Sequence, residues 1–199
     1  PTALPPGVYC LDQGLRPGLA SRAALGWALG SYSFTRYKEN PRDYPRLVWP
    51  KAADKDQVSH TAEAIGLVRD LVNTPAADMG PAELAEAARS LAKQHKAKCT
   101  VITGDTLLKR NYPAVHAVGR AAAEEPRLID LRWGTKGPKV TLVGKGVCFD
   151  SGGVDLKPAA GMKLMKKDMG GAAHVLGLAS LIMAQQLPLR LRVLIPAVE

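Results

Sequence analysis

The sequence predicts an α/β fold built on a mixed, largely parallel sheet with helices on both faces. Three observations carry that expectation. From Asp54 onward, stretches with apolar residues at helical spacing alternate with short runs rich in Val, Leu and Ile. Four such runs have strand length: "KCTVITG", "RLIDLRWG", "KVTLVGKGVCF" and "LRLRVLIPAV". The second and third are joined by "TKGPK", a hairpin-type connection that makes the sheet mixed.

Taken in order, the first 50 residues hold many of the prolines and one short helical stretch, "SRAALGWALGSYSF". "YKENPRDYPRLVWP" follows and reads as a connecting arm. "DKDQVSHTAEAIGLVRDLVN" sets Val58, Ala62, Ile65, Val68 and Leu71/Val72 on one helical face, and "NTP" ends it. "GPAELAEAARSLAKQH" is a second helix, with Gly80 as N-cap, Pro81 at the first helical position and Glu83 in the first turn. "DTLLKRNYPAVHAVGRAA" reads as a helical segment interrupted around Pro113. "GGAAHVLGLASLIMAQQ", apolar almost all round, reads as a buried helix before the last strand.

Composition narrows the function classes. At 46% hydrophobic and 23% charged residues the 199-residue chain is ordinary globular material. Aromatics make up 5%, so Val, Leu, Ile and Ala must supply most of the buried area. The net charge is +9, but the cations (Arg16, Arg36, Arg69, Lys96, Arg127, Lys166) are dispersed, which reads as a solvated surface. Cys10, Cys99 and Cys148 are odd in number and lack metal-type spacing, in keeping with free thiols and a reducing compartment. No apolar run is long enough to cross a bilayer, and no membrane partner is expected.

The chemistry concentrates in "VGKGVCFDSGGVDLKPAAGMKLMKKDMGGAAHV", residues 143–175. Lys145 falls in an apolar strand between two glycines; it must reach water, find a partner or lose its proton, and burial would depress its pKa. Asp150 follows the strand's carboxyl end, where open α/β sheets place ligands. Lys145 and Asp150 are an odd number of positions apart, so one shared site requires a turn near Val147–Asp150, and "DSGG" suits it. Asp168 precedes "MGGAAHVLG" in the position of a helix N-cap. Two convergent aspartates and an uncharged amine would make a site for a hard cation, Zn²⁺, Mn²⁺ or Mg²⁺. Lys157, kept protonated, could polarise a carbonyl.

Each residue also has a plainer role open to it. Asp150 could close an Asx turn, Asp168 only cap a helix, and Lys157 be a solvated loop cation. A nucleotide loop is the obvious rival, but neither G-x-x-x-x-G-K-[ST] nor G-x-G-x-x-G occurs in the segment. His60, His95, His116 and His174 are scattered, with no pair at ligand spacing.

The run "GKGVCFDSGGVDLKPAAGMKLMKKDMGGAA" strongly resembles the leucyl aminopeptidase family, the M17 two-metal exopeptidases, whose pattern is G-K-G-x-x-F-D-[ST]-G-G-x-x-[LI]-K and then M-x-x-D-M-x-G-A. "NTPAADMGPAELAEAA" and "YPAVHAVGRAA" are similar to further stretches of that family. The resemblance implies a zinc-exopeptidase-like fold, incomplete in this chain. Residues 1–50 would be the end of an N-terminal domain with its connecting segment, and residues 51–199 the first part of the catalytic domain. It further implies that Lys145 binds one of two divalent metal ions (Zn²⁺ or Mn²⁺, with Mg²⁺ a third choice) and that Asp150 bridges both. Asp168 would hold the same ion as Lys145. Lys157 would be the catalytic lysine, and Met165 would line the pocket for the substrate's N-terminal side chain. By the same resemblance the protein would be cytoplasmic, hexameric and active on peptides. Some family members also bind DNA, with which a charge of +9 is compatible, and a non-catalytic scaffold role is a further alternative.

The family's later N-T-D-A-E-G-R motif, with its remaining ligands and an arginine, does not occur here. The chain therefore looks like a fragment of a longer enzyme, and three protein ligands would leave it inactive alone.

Overall fold

A computed structural model describes residues 1, 3–11, 14–39 and 43–199. The chain divides into two compact units, Pro1–Leu67 and Val68–Glu199.

In the first unit, β1 (Val8–Tyr9) pairs in parallel with β2 (Arg46–Leu47). Between them lies α1 (Pro17–Gly30), begun by a proline whose missing N–H costs nothing at that position. Ala20 and Ala24 on α1 are buried with Ala53 and Val58, and Leu15, Leu25 and Leu47 pack against them. β2 falls in the stretch expected to be a connecting arm, of which residues 40–42 lie outside the described residues. Helix α2 (Lys55–Asn73) starts where the Gln57 N–H donates to Asp54 Oδ1 at 3.0 Å.

The second unit holds the expected α/β order. α3 (Pro81–Gln94) begins as the sequence indicates: the Gly80 N–H donates to Glu83 Oε2 at 3.1 Å. β3 (Lys98–Thr103) follows, then α4 (Thr106–Lys109) and α5 (Pro113–Gly119), separated just ahead of Pro113. Next come β4 (Arg127–Trp133), β5 (Lys139–Val143) and β6 (Gly146–Val147). After α6 (Ala159–Met162), a 3₁₀ turn (Met165–Met169) runs into α7 (Gly170–Ala184), and β7 (Arg190–Val198) ends the unit.

The five strands form one mixed sheet in the order β3-β4-β7-β5, with β6 continuing beside β7. The β3–β4 and β4–β7 ladders are antiparallel, and β5–β7 and β6–β7 are parallel. The hairpin expected between β4 and β5 is absent, because β7 lies between them and pairs with both. A hairpin inference weighs only the local turn, whereas β7, with its alternating Val193, Ile195 and Ala197, offers each strand a better apolar neighbour.

Strand alternation decides which face becomes core. Ile129 and Leu131 of β4 and Leu191, Val193, Ile195 and Ala197 of β7 are buried on one face. Both α3 and α7 pack against the sheet and touch each other, which places them on that face. The other face carries Asp130, Arg132 and Arg192, whose side chains interlock: Arg192 donates two hydrogen bonds to Asp130 (3.1 and 2.8 Å), and Arg132 adds three more, the shortest at 2.9 Å. α5 reaches the far end of this face, where Gly119 sits against Val198. Among the described residues no helix is long and apolar enough to cross a membrane.

Candidate functional site

The site grows from a break in one strand. β5 and β6 pair with β7 in a single register, Val143↔Leu194 and Gly146↔Ala197, yet the two residues between them leave the regular strand. Lys145 sits in this break. Its carbonyl accepts the Ala172 N–H at 2.9 Å, satisfying an orphan amide in the first turn of α7. So close an approach needs a residue without a side chain opposite: a Cβ at Gly171 would stand 2.9 Å from the Lys145 backbone nitrogen.

The Lys145 side chain is 58% exposed and points to Asp168, whose Oδ2 lies 2.7 Å from Nζ. Its surroundings correct the burial argument: the break in the strand lets this lysine reach both water and a partner. Asp168 also differs from expectation. It is not the N-cap of α7; the 3₁₀ turn feeds directly into the helix, Met169 occupies the cap position, and the carboxylate turns toward Lys145.

After β6 the chain leaves the sheet as strand parity requires. The Cys148 N–H still donates to Val198 O at 2.8 Å, and the turn follows at "DSGG". Gly152 has φ +97, and a Cβ there would lie 2.3 Å from Asp155 O, so only glycine fits. The Gly152 N–H donates to Asp150 Oδ1 at 3.0 Å, an Asx turn that leaves Oδ2 for Lys157 Nζ at 2.5 Å. Asp150 thus holds its turn and receives the lysine together. The Lys157 hydrogen bond, then that of Gly152, keeps the Asp150 carboxyl below the ordinary carboxylate range, and the Lys145 charge adds to the effect. Lys157 Nζ also lies 3.3 Å from Met165 Sδ.

All five expected residues therefore meet at one rim. Lys145 pairs with Asp168, Lys157 with Asp150 and Met165, and Asp150 feels both lysines. Among the described residues no three His, Cys, Asp or Glu side chains cluster as a metal cage. The donor set is two carboxylates and one amine. It suits a hard cation, and Asp168 Oδ2 is buried without a well-formed hydrogen bond despite the nearby Lys145. Lys166 departs from the solvated surface expected of it: its Nζ donates to Asn73 O at 2.6 Å in a part-buried contact, and nothing in "LMKKDM" distinguishes it from Lys167.

Residues 66–199 match the sequence profile of the cytosol aminopeptidase family, catalytic domain. The chain belongs to that family. Residues 1–50 match the M17 aminopeptidase N-terminal domain. A probable cytosol aminopeptidase of Geobacter sp. is 39% identical over 92% of this chain and 40% of its own length. Among solved structures, the cytosol aminopeptidase of Coxiella burnetii superposes with a TM-score of 0.94 at 53% identity, over 100% of this chain and 44% of that one. The bottromycin maturation enzyme BotP in complex with Mn gives 0.80 at 38% identity, over 90% of this chain and 39% of that one. Leucyl aminopeptidase of Trypanosoma brucei in complex with bestatin gives 0.84 at 32% identity, over 99% and 40%. The chain thus spans about 40% of the length of the curated relatives it matches. The mixed α/β architecture of this family chain is that of its structural neighbours.

Proposed function

We propose that these residues form part of the active centre of a metal-dependent aminopeptidase that removes the N-terminal residue of peptides. The observation that carries this reading is the meeting of the Lys145–Asp168 and Lys157–Asp150 pairs beside Met165 on one rim of the sheet. The family assignment and a manganese complex of the similar BotP support it.

In this reading Lys145, Asp150 and Asp168 hold divalent ions, Zn²⁺ or Mn²⁺. Such ions, when bound, supply a nucleophilic water at neutral pH and a grip on the substrate's free amine. Lys145 would hold its ion through the neutral amine, and Asp168, which lies beside it, would hold the same ion. Asp150 keeps Oδ1 on the Gly152 amide, so its turn orients Oδ2. Lys157 donates a hydrogen bond to the carbonyl oxygen as negative charge develops there. Met165 presents a pliable apolar wall to the N-terminal side chain. Three protein donors do not fix two ions, so residues 1–199 alone should not turn over peptides. We place the enzyme in the cytoplasm as a hexamer, with residues 1–50 and 51–199 as portions of two domains.

The test is Lys157→Ala in the intact protein, assayed with an aminoacyl amide after loading with Mn²⁺ or Zn²⁺. Turnover should fall by about 100- to 1,000-fold, the usual cost of losing one oxyanion donor, while metal affinity and folding persist. Undiminished turnover would remove Lys157 from the mechanism.

A further inference from the structure

The 3₁₀ turn Met165–Met169 has a geometry that divides its side chains. With three residues per turn, positions three apart stand above one another. Met165 and Asp168 therefore share one face, and these two meet Lys157 and Lys145. Lys166 and Met169 share the next face. Met169 is fully buried, and Lys166 Nζ donates at 2.6 Å to the carbonyl of Asn73, the last residue of α2. Its neighbours Lys163 and Lys167 are exposed.

We propose that Lys166 is a positioning residue, fixing the rotation of this turn so that Asp168 and Met165 face the site. The inference rests on the metallopeptidase reading above. A turn of five residues has too few internal hydrogen bonds to set its own orientation. α7 extends it on one side. On the other, Lys166 pins it to the negative end of a 19-residue helix, where its ammonium donates to a last-turn carbonyl. Without that bond the turn can roll about its axis, carrying Asp168 away from Lys145 and Met165 away from Lys157 together. The contact Lys166 makes is with the end of α2, so in this proposal its effect passes through Asp168 and Met165.

The experiment titrates Mn²⁺ into the metal-stripped intact protein and its variants, with thermal melts alongside. Lys166→Met keeps the stem and loses the donors; its Mn²⁺ affinity should fall roughly 10- to 100-fold, the range for residues that orient ligands. Lys166→Arg still reaches Asn73 O and should restore binding, and Lys167→Met should bind as the parent does. In turnover assays Lys166→Met should also change the preference between bulky and small N-terminal residues, which a loss of stability alone would not do. Should Lys166→Met fail to fold, Lys166→Gln takes its place: weaker binding than Lys166→Arg supports the proposal, and equal binding overturns it. Asp168→Asn separates the two levels of argument. If it loses Mn²⁺ while Lys166→Met binds normally, the positioning role is wrong and the site reading stands. If Asp168→Asn binds as the parent does, the site reading itself falls and takes this inference with it.

Discussion

Two adjacent glycines at the start of α7 make a paired test of how the site is held. A Cβ built at Gly171 would stand 2.9 Å from the Lys145 backbone nitrogen and 3.3 Å from both Lys145 Cβ and its carbonyl oxygen. One built at Gly170 meets nothing within 4 Å. Restoring ordinary contact at 3.4 Å in Gly171→Ala requires α7 and Lys145 to separate by about 0.5 Å. The Ala172 N–H to Lys145 carbonyl bond, 2.9 Å at present, then stretches to the edge of a useful hydrogen bond. Overpacking against backbone costs about 1–3 kcal/mol, and the gain from replacing a helical glycine offsets at most about 1 kcal/mol. Gly170→Ala shares the helix-propensity gain of up to about 1 kcal/mol without the overpacking, so Gly171→Ala should be less stable than Gly170→Ala by about 1–3 kcal/mol. Urea denaturation with a shared m-value reads the difference, and Mn²⁺ titration should show weaker binding for Gly171→Ala alone. Equal urea midpoints for the two variants would refute the claim that glycine is needed for close approach at Lys145.

Two further outcomes follow from the packing. Burial would raise the Asp130 carboxyl, but hydrogen bonds from Arg192 and Arg132 outweigh it and hold the group below the ordinary carboxylate range. A folded-state value below the unfolded one means that the contribution is full above about pH 4 and lost as pH falls through the folded value. Urea midpoints measured between neutral pH and pH 3 should therefore fall less steeply for Asp130→Asn than for the parent, and parallel profiles would contradict the assignment. Burial also pushes the Cys148 thiol up to about 12, whereas Cys10 is exposed. At pH 8 a thiol reagent should modify Cys10 rapidly and Cys148 only on unfolding; fast labelling of Cys148 in the native protein would show that its pocket opens.

The helices were legible in the sequence because their causes are local. Apolar spacing in residues 55–73, and Gly80, Pro81 and Glu83 at the head of α3, act within a turn or two of chain. The resemblance around Lys145, Asp150, Lys157, Met165 and Asp168 named five side chains, and the structure sets Lys145 beside Asp168 and Lys157 beside Asp150 and Met165. A turn near Val147–Asp150 was expected on the condition that Lys145 and Asp150 serve one site, and the chain does turn there, at "DSGG".

What the sequence by itself determined, then, was the type of the main helices and strands from Lys55 onward and which charged side chains lie in residues 143–175. Tertiary structure alone decided how they meet. β7 displaced the expected hairpin because strand pairing rewards the best neighbour across any length of chain, and local turn chemistry says nothing about a competitor some 50 residues away. Asp168 left the cap position to face Lys145, and Lys166 found a helix end 93 residues distant. Hydrogen bonds and ion pairs act over a few ångströms in space, and only the folded chain sets which groups come that close.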